Sequence, residues 1–138
     1  MNDPADSATE RIVTIAPSRD EPRRVVIADD HEATRVLLRT LVEIEGMKVV
    51  GEAEDGSRAV ELALKHEPDV VLLDVNMPGL DGLGAAELIR SSHPRIRVQL
   101  HSGAPLDLVL QRASALELPL ADKRDLHLTV QQLARQAV

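Results

Sequence analysis

Strand and helix patterns alternate along this chain, which predicts an α/β fold with a parallel sheet covered by helices on both faces. Two observations carry that expectation. Aliphatic runs such as Val25-Val26-Ile27 and Val70-Val71-Leu72-Leu73 are uninterrupted by polar residues, as in strands buried on both sides. The segments between such runs carry apolar residues at helical spacing and close on stop signals such as Gly46.

Residues 1–22 mix Asp, Pro, Ser, Thr and Arg around one apolar patch and are expected to form a disordered extension, leaving 23–138 as the folded domain. The first strand lies in "RRVVIADD". In "HEATRVLLRTLVEIEG", Leu37, Leu41 and Ile44 fall on one helical face. "MKVVGEA" reads as a second strand. "DGSRAVELALKHEP" reads as a helix capped by Asp55, with Val60, Ala63 and Leu64 on one face. "DVVLLD" is the third strand, "GLGAAELIRSS" the third helix and "RIRVQLHS" the fourth strand. A helix over 105–114 aligns Leu106, Val109, Leu110 and Ala113, and "LELPLAD" holds a short fifth strand. A last helix over 124–136 buries Leu126, Val130 and Leu133.

The 138 residues suit one domain with a real core. A net charge of -7, from 16 basic and 23 acidic residues, argues against direct nucleic-acid binding by this chain. With no Cys, a disulfide framework, a thiolate zinc site and a cysteine nucleophile are all excluded. No apolar run approaches the roughly 20 residues that span a bilayer, and the polar, acidic start does not read as a secretory signal. The expected setting is cytoplasmic, without membrane contact. Phe, Tyr and Trp are absent, so the core must be aliphatic and no mechanism here uses an aromatic ring.

Asp74 ends an apolar run, where desolvation makes a charge costly. Asp29 and Asp30 end the first strand in the same way. In parallel α/β sheets, chemistry gathers outside the carboxyl ends of the strands. If the first and third strands are neighbours, three carboxylates converge there and raise one another's pKa. A hard divalent cation relieves this, and Mg²⁺ prefers oxygen ligands. The fourth strand ends on Ser102 and the fifth on Lys123. Acids, a hydroxyl and an ammonium on four strand ends suit a phosphoryl group on Asp74.

"ADD", "LLDVNMPGLDG", Ser102 and Lys123, in this order, resemble the receiver domains of two-component response regulators, over roughly residues 23–137. The first half is most similar to receivers that precede helix-turn-helix domains. The resemblance implies a flavodoxin-like fold of five βα units, strand order 2-1-3-4-5. It implies that Asp74 is the phospho-acceptor, and that Asp30 and Asp74 ligate Mg²⁺ with Asp29 close by or acting through water. The backbone carbonyl of Asn76 would complete the ligands. Ser102 is similar to the switch hydroxyl, Lys123 to the phosphate-binding lysine, and Gly82 to the small residue opening the third helix. Such a module takes its phosphoryl group from a histidine kinase or phosphotransfer protein, phosphorylates and later dephosphorylates itself at Asp74, and is not a metabolic enzyme. The output would be an unknown partner, a homodimer, or a C-terminal domain beyond residue 138.

Four positions depart from the family pattern. Leu120 replaces the aromatic switch residue, and Arg124 replaces the proline after the lysine, often joined by a cis bond. A trans bond and a reshaped loop are expected here, since a cis bond before a non-proline costs about 2.5–4 kcal/mol. Leu116-Glu117 replaces a small pair, and Gln99 and His101 interrupt a normally apolar strand. His101 is expected to be a hydrogen-bonded strand residue, not a phospho-acceptor. His31 is expected on the first helical turn near the site. Two other functions compete: a pseudo-receiver that binds partners constitutively, and an aspartyl phosphohydrolase. The second lacks the acid usual two residues after the nucleophile, where Asn76 stands.

Overall fold

The computed structural model describes residues 21–103 and 107–136. Five parallel strands form one sheet in the order β2-β1-β3-β4-β5. They are β1 (Arg24–Ala28), β2 (Lys48–Ala53), β3 (Val70–Asp74), β4 (Arg97–Ser102) and β5 (Leu120–Asp122). Helices α1 (Glu32–Ile44), α2 (Gly56–His66), α3 (Gly82–Ser92), α4 (Asp107–Ala115) and α5 (Leu126–Arg135) follow the strands in turn. The expected flavodoxin-like architecture is the one observed. The proposed extension, residues 1–22, lies almost wholly outside the described residues, as does Leu106 of the expected fourth helix.

The two central strands, β1 and β3, are buried on both faces because their side chains alternate between two aliphatic layers. Val26, Ala28, Val71 and Leu73 pack against Ala59, Leu62, Leu83 and Ile89 of α2 and α3. Val25, Ile27, Val70 and Leu72 pack against Leu38 and Val42 of α1 and Val130 and Leu133 of α5. No aromatic ring is needed to close either layer.

Three helix faces differ from expectation. In α1 the buried residues are Leu38 and Val42, while Leu37 and Ile44 stand 46% and 70% exposed. Apolar residues occupy both sides of this helix, and a polar anchor decides between them. Arg35 donates to the Asp29 carbonyl at 2.7 Å and approaches Glu52, turning the Leu38 side inward. In α2 the inward face is Ala59, Leu62 and Ala63, with Leu64 39% exposed. In α4 Ala113 is buried but Leu110 is exposed.

Aspartate caps set two helix starts, the first where the sequence suggests it. The Asp55 carboxylate accepts the Arg58 N–H at 2.8 Å, and Asp81 caps α3 through the Gly84 N–H. A Cβ on Gly82 would lie 2.1 Å from the Asp74 carbonyl oxygen. Any side chain there would push α3 away from the strand end that carries Asp74, so the position requires glycine.

Candidate functional site

The acids meet at the carboxyl end of the sheet because three strand ends lie in register. Ala28 pairs with Leu73, which sets Asp29 beside Asp74, and Asp74 pairs with His101 on β4. Alternation puts all three side chains on the face that holds Ile27 and Leu72, toward α1 and α5. Asp29 is 0% exposed, Asp74 1% and His101 0%.

Two adjacent buried carboxylates require compensation. Lys123 supplies it, with Nζ 3.0 Å from Asp29 Oδ2 and 3.2 Å from Asp74 Oδ2. The Asn76 N–H donates to Asp74 Oδ1 at 3.2 Å. Asp29 Oδ1 accepts the His31 N–H at 2.8 Å, and Asp29 Oδ2 also meets His101 Nε2 at 2.8 Å.

These partners move the carboxyls in opposite directions. Burial pushes Asp29 up, but hydrogen bonds from His101, the His31 N–H and Lys123 outweigh it and hold the carboxyl well below the usual range. Burial and the negative charge of Asp29 raise Asp74, against the pull of Lys123 and His101. Burial pushes the Lys123 ammonium down, yet its two carboxylate partners leave it raised.

Lys123 reaches this position although Arg124, not proline, follows it. β5 runs into a single 3₁₀ turn, Lys123–Asp125, and no peptide bond among the described residues is cis. The Asp122 carboxylate accepts the Arg124 N–H at 2.8 Å and the guanidinium at 2.7 and 3.1 Å. Proline has no N–H to give. The arginine therefore fixes the turn through hydrogen bonds where a ring would fix it covalently. The same bonds hold the Asp122 carboxyl down at about 2.

Asp30 and His31 are exposed at the mouth, with His31 Nδ1 3.1 Å from Asp30 Oδ1. Asp29, Asp30, His31 and Asp74 each bring one ligand atom within 4.8 Å of the others. The carboxylates fit a hard cation such as Mg²⁺, and the imidazole is the poorer match. A cleft of about 420 Å³ opens here, lined by Asp30, His31, Thr34, Asp74, Asn76, Gly103 and Lys123. A larger hollow of about 630 Å³ lies at the opposite end of the sheet, around Asp69, Val70, Arg97 and Leu133, and none of the acid cluster lines it.

The expected residues thus come together with one qualification. Asp29, Asp30, Asp74, Asn76 and Lys123 share the site. Ser102 ends β4 fully buried, and its neighbour Gly103 lines the cleft. His101 belongs to the cluster more closely than its sequence suggested. Its expected hydrogen bond exists, but the partner is Asp29, across β3. The available signal was a polar residue in an apolar strand, one position before Ser102.

A family model described as the response regulator receiver domain matches residues 25–117. The chain belongs to the response regulator receiver family. The match stops before β5, so Lys123 lies beyond it. The transcriptional regulatory protein PdtaR of Mycobacterium tuberculosis is 47% identical over 88 residues, 64% of this chain and 43% of PdtaR. The response regulator GacA of Pseudomonas viridiflava is 45% identical over 76 residues, 54% of this chain and 36% of GacA. The chain therefore spans less than half the length of these curated relatives. Among solved structures, the signal receiver domain of NarL from Mycobacterium tuberculosis superposes with a TM-score of 0.75 at 34% identity, covering 85% of this chain and 99% of that one. The response regulator domain of Thermotoga maritima CheB gives 0.74 at 28% identity, covering 85% and 96%. Among the described residues, no helix of this receiver is long and apolar enough to cross a membrane.

Proposed function

We propose that this receiver accepts a phosphoryl group on Asp74 from a histidine kinase or phosphotransfer protein, and that the change alters partner binding. The carrying observation is Lys123 Nζ, held within 3.2 Å of Asp74 although the usual proline is replaced by Arg124. An intact ammonium-carboxylate pair at a buried strand end is what a decayed site has no reason to keep, since burying the charges is costly.

In the transfer, a carboxylate oxygen of Asp74 attacks phosphorus of a phosphohistidine. The O–P bond forms as the P–N bond breaks, and the imidazole nitrogen leaves with the bonding pair. Lys123 favours the ionised form of Asp74 before attack and faces the added negative charge after it. The Ser102 hydroxyl is the second protein donor toward that charge. Asp30, Asp74 and the Asn76 carbonyl would hold Mg²⁺, with Asp29 beside them. When bound, the ion offsets the charge of the phosphoryl oxygens and of the crowded carboxylates. Attack of water on phosphorus later cleaves the acyl phosphate and restores Asp74. The receiver acts in the cytoplasm, and its output is a partner protein, a second copy, or a domain outside this sequence.

Intact-mass spectrometry after incubation with Mg²⁺ and acetyl phosphate tests the reading. One phosphorylated species is expected, absent without Mg²⁺ and absent in Asp74→Asn. A folded wild-type protein that stays unmodified would support a constitutive binding module instead.

A further inference from the structure

His101 is a buried polar group that the proposed transfer does not use. Its side chain is 0% exposed, and to reach Asp29 it spans β3, passing the strand that carries Asp74. Nε2 meets Asp29 Oδ2 at 2.8 Å, while Nδ1 is buried without a partner among the described residues. An ionised carboxylate only accepts hydrogen bonds, so the proton between the two must sit on Nε2. The contact is thus a directed donor, aimed at one oxygen of one acid.

That donor completes a clamp. Asp29 Oδ1 is held by the His31 N–H at 2.8 Å, and Oδ2 is shared by His101 and Lys123 at 2.8 and 3.0 Å. With both oxygens held, the carboxylate cannot turn about its own bond. Lys123 alone would fix Oδ2 less firmly. Its ammonium is a mobile point charge on a flexible stem and is shared with Asp74.

We propose that His101 is a positioning residue for the acidic site: its Nε2–H locks the Asp29 carboxylate beside Asp74 and so presets the cluster for Mg²⁺. This rests on the reading of the cluster as a Mg²⁺ and phosphoryl site. Hydrogen-bond partners behind metal-binding groups commonly matter 10–100-fold in affinity. A valine at this strand position keeps the core apolar but removes the donor. Glutamine keeps an N–H at nearly the reach of Nε2.

The test is calorimetric titration of the unphosphorylated protein with MgCl₂, in wild type, His101→Val, His101→Gln and Asp30→Asn. We expect roughly tenfold weaker binding in His101→Val and recovery to within roughly threefold of wild type in His101→Gln, by the same hydrogen bond. Wild-type affinity in His101→Val overturns the inference while leaving the reading of the site intact. Equal losses in both His101 variants also overturn it, because they indicate packing alone. No Mg²⁺ binding by wild type overturns the reading and the inference with it, and Asp30→Asn shows what a lost ligand looks like. If His101→Val does not fold, nitrogen NMR of the wild-type imidazole decides independently. The proton is expected on Nε2, and a proton on Nδ1 with a bare Nε2 overturns the proposal.

Discussion

The ammonium of Lys123 lies 3.2 Å from Asp74, 49 residues earlier in the chain, and the same nitrogen is 3.0 Å from Asp29. One cation thus serves two buried acids. Its loss leaves like charges facing each other in a poorly solvated space.

Lys123→Met should therefore lower the stability of the metal-free protein by about 1–3 kcal/mol, since buried charges lose a partner. The same change should strengthen Mg²⁺ binding, because the competing positive charge is gone. Chemical denaturation followed by far-ultraviolet circular dichroism, with and without MgCl₂, checks both. The absence of tryptophan and tyrosine makes this the natural optical probe. A variant that is less stable but responds to Mg²⁺ no more strongly than wild type would place the lysine's role in folding alone.

The two buried acids should give opposite pH responses. Asp29 has a lowered folded pKa, so its contribution to stability is full above the unfolded carboxyl's pKa and is lost as pH falls toward the folded value. Asp74 has a raised folded pKa, so its contribution is present below the unfolded pKa and is lost as pH rises through the folded value. Near neutral pH, Asp74→Asn should stabilise the metal-free fold and Asp29→Asn should destabilise it. Both differences should shrink in acid. Denaturation across a pH series measures this, and a neutral-pH penalty for Asp74→Asn would contradict it.

Millimolar Mg²⁺ should raise the melting temperature, because a ligand bound only by the native state stabilises it by RT ln(1+[L]/Kd), about 1 kcal/mol at several times Kd. Asp30→Asn should weaken or remove that rise. An unchanged Mg²⁺ response in both Asp30→Asn and Asp74→Asn would move the metal elsewhere.

Much of this was legible in the sequence. The runs around Val26 and Leu72 announce two-sided burial, and strand ends at Asp29, Asp74, Ser102 and Lys123 announce a rim of polar groups. What escaped depended on contacts between distant elements. The face of α1 was ambiguous because Leu37 and Leu38 are equally apolar, and Arg35 breaks the tie by reaching the Asp29 carbonyl. His101 was visible as an oddity, but its partner two strands away depends on strand order and register together.

The readout should be muted. Leu120 packs partly buried against the layer that contains Leu100 and Ala113 and has no ring to move between buried and exposed positions. With a phosphate mimic on Asp74, amide NMR signals of Asp29, Asp30, Asn76 and Ser102 should shift strongly. Those of 107–115 and 126–135 should shift weakly and locally. Large, concerted changes across both helices would show that another element carries the switch.

The central claim is that Asp74 receives the phosphoryl group, and mapping the modified residue tests it most directly. After phosphorylation with acetyl phosphate and Mg²⁺, borohydride reduction converts the acyl phosphate into a stable mark, and peptide mass spectrometry locates it. The mark should fall on Asp74 and be absent from Asp74→Asn. A mark on Asp29 or Asp30, or one that persists in Asp74→Asn, would contradict this account.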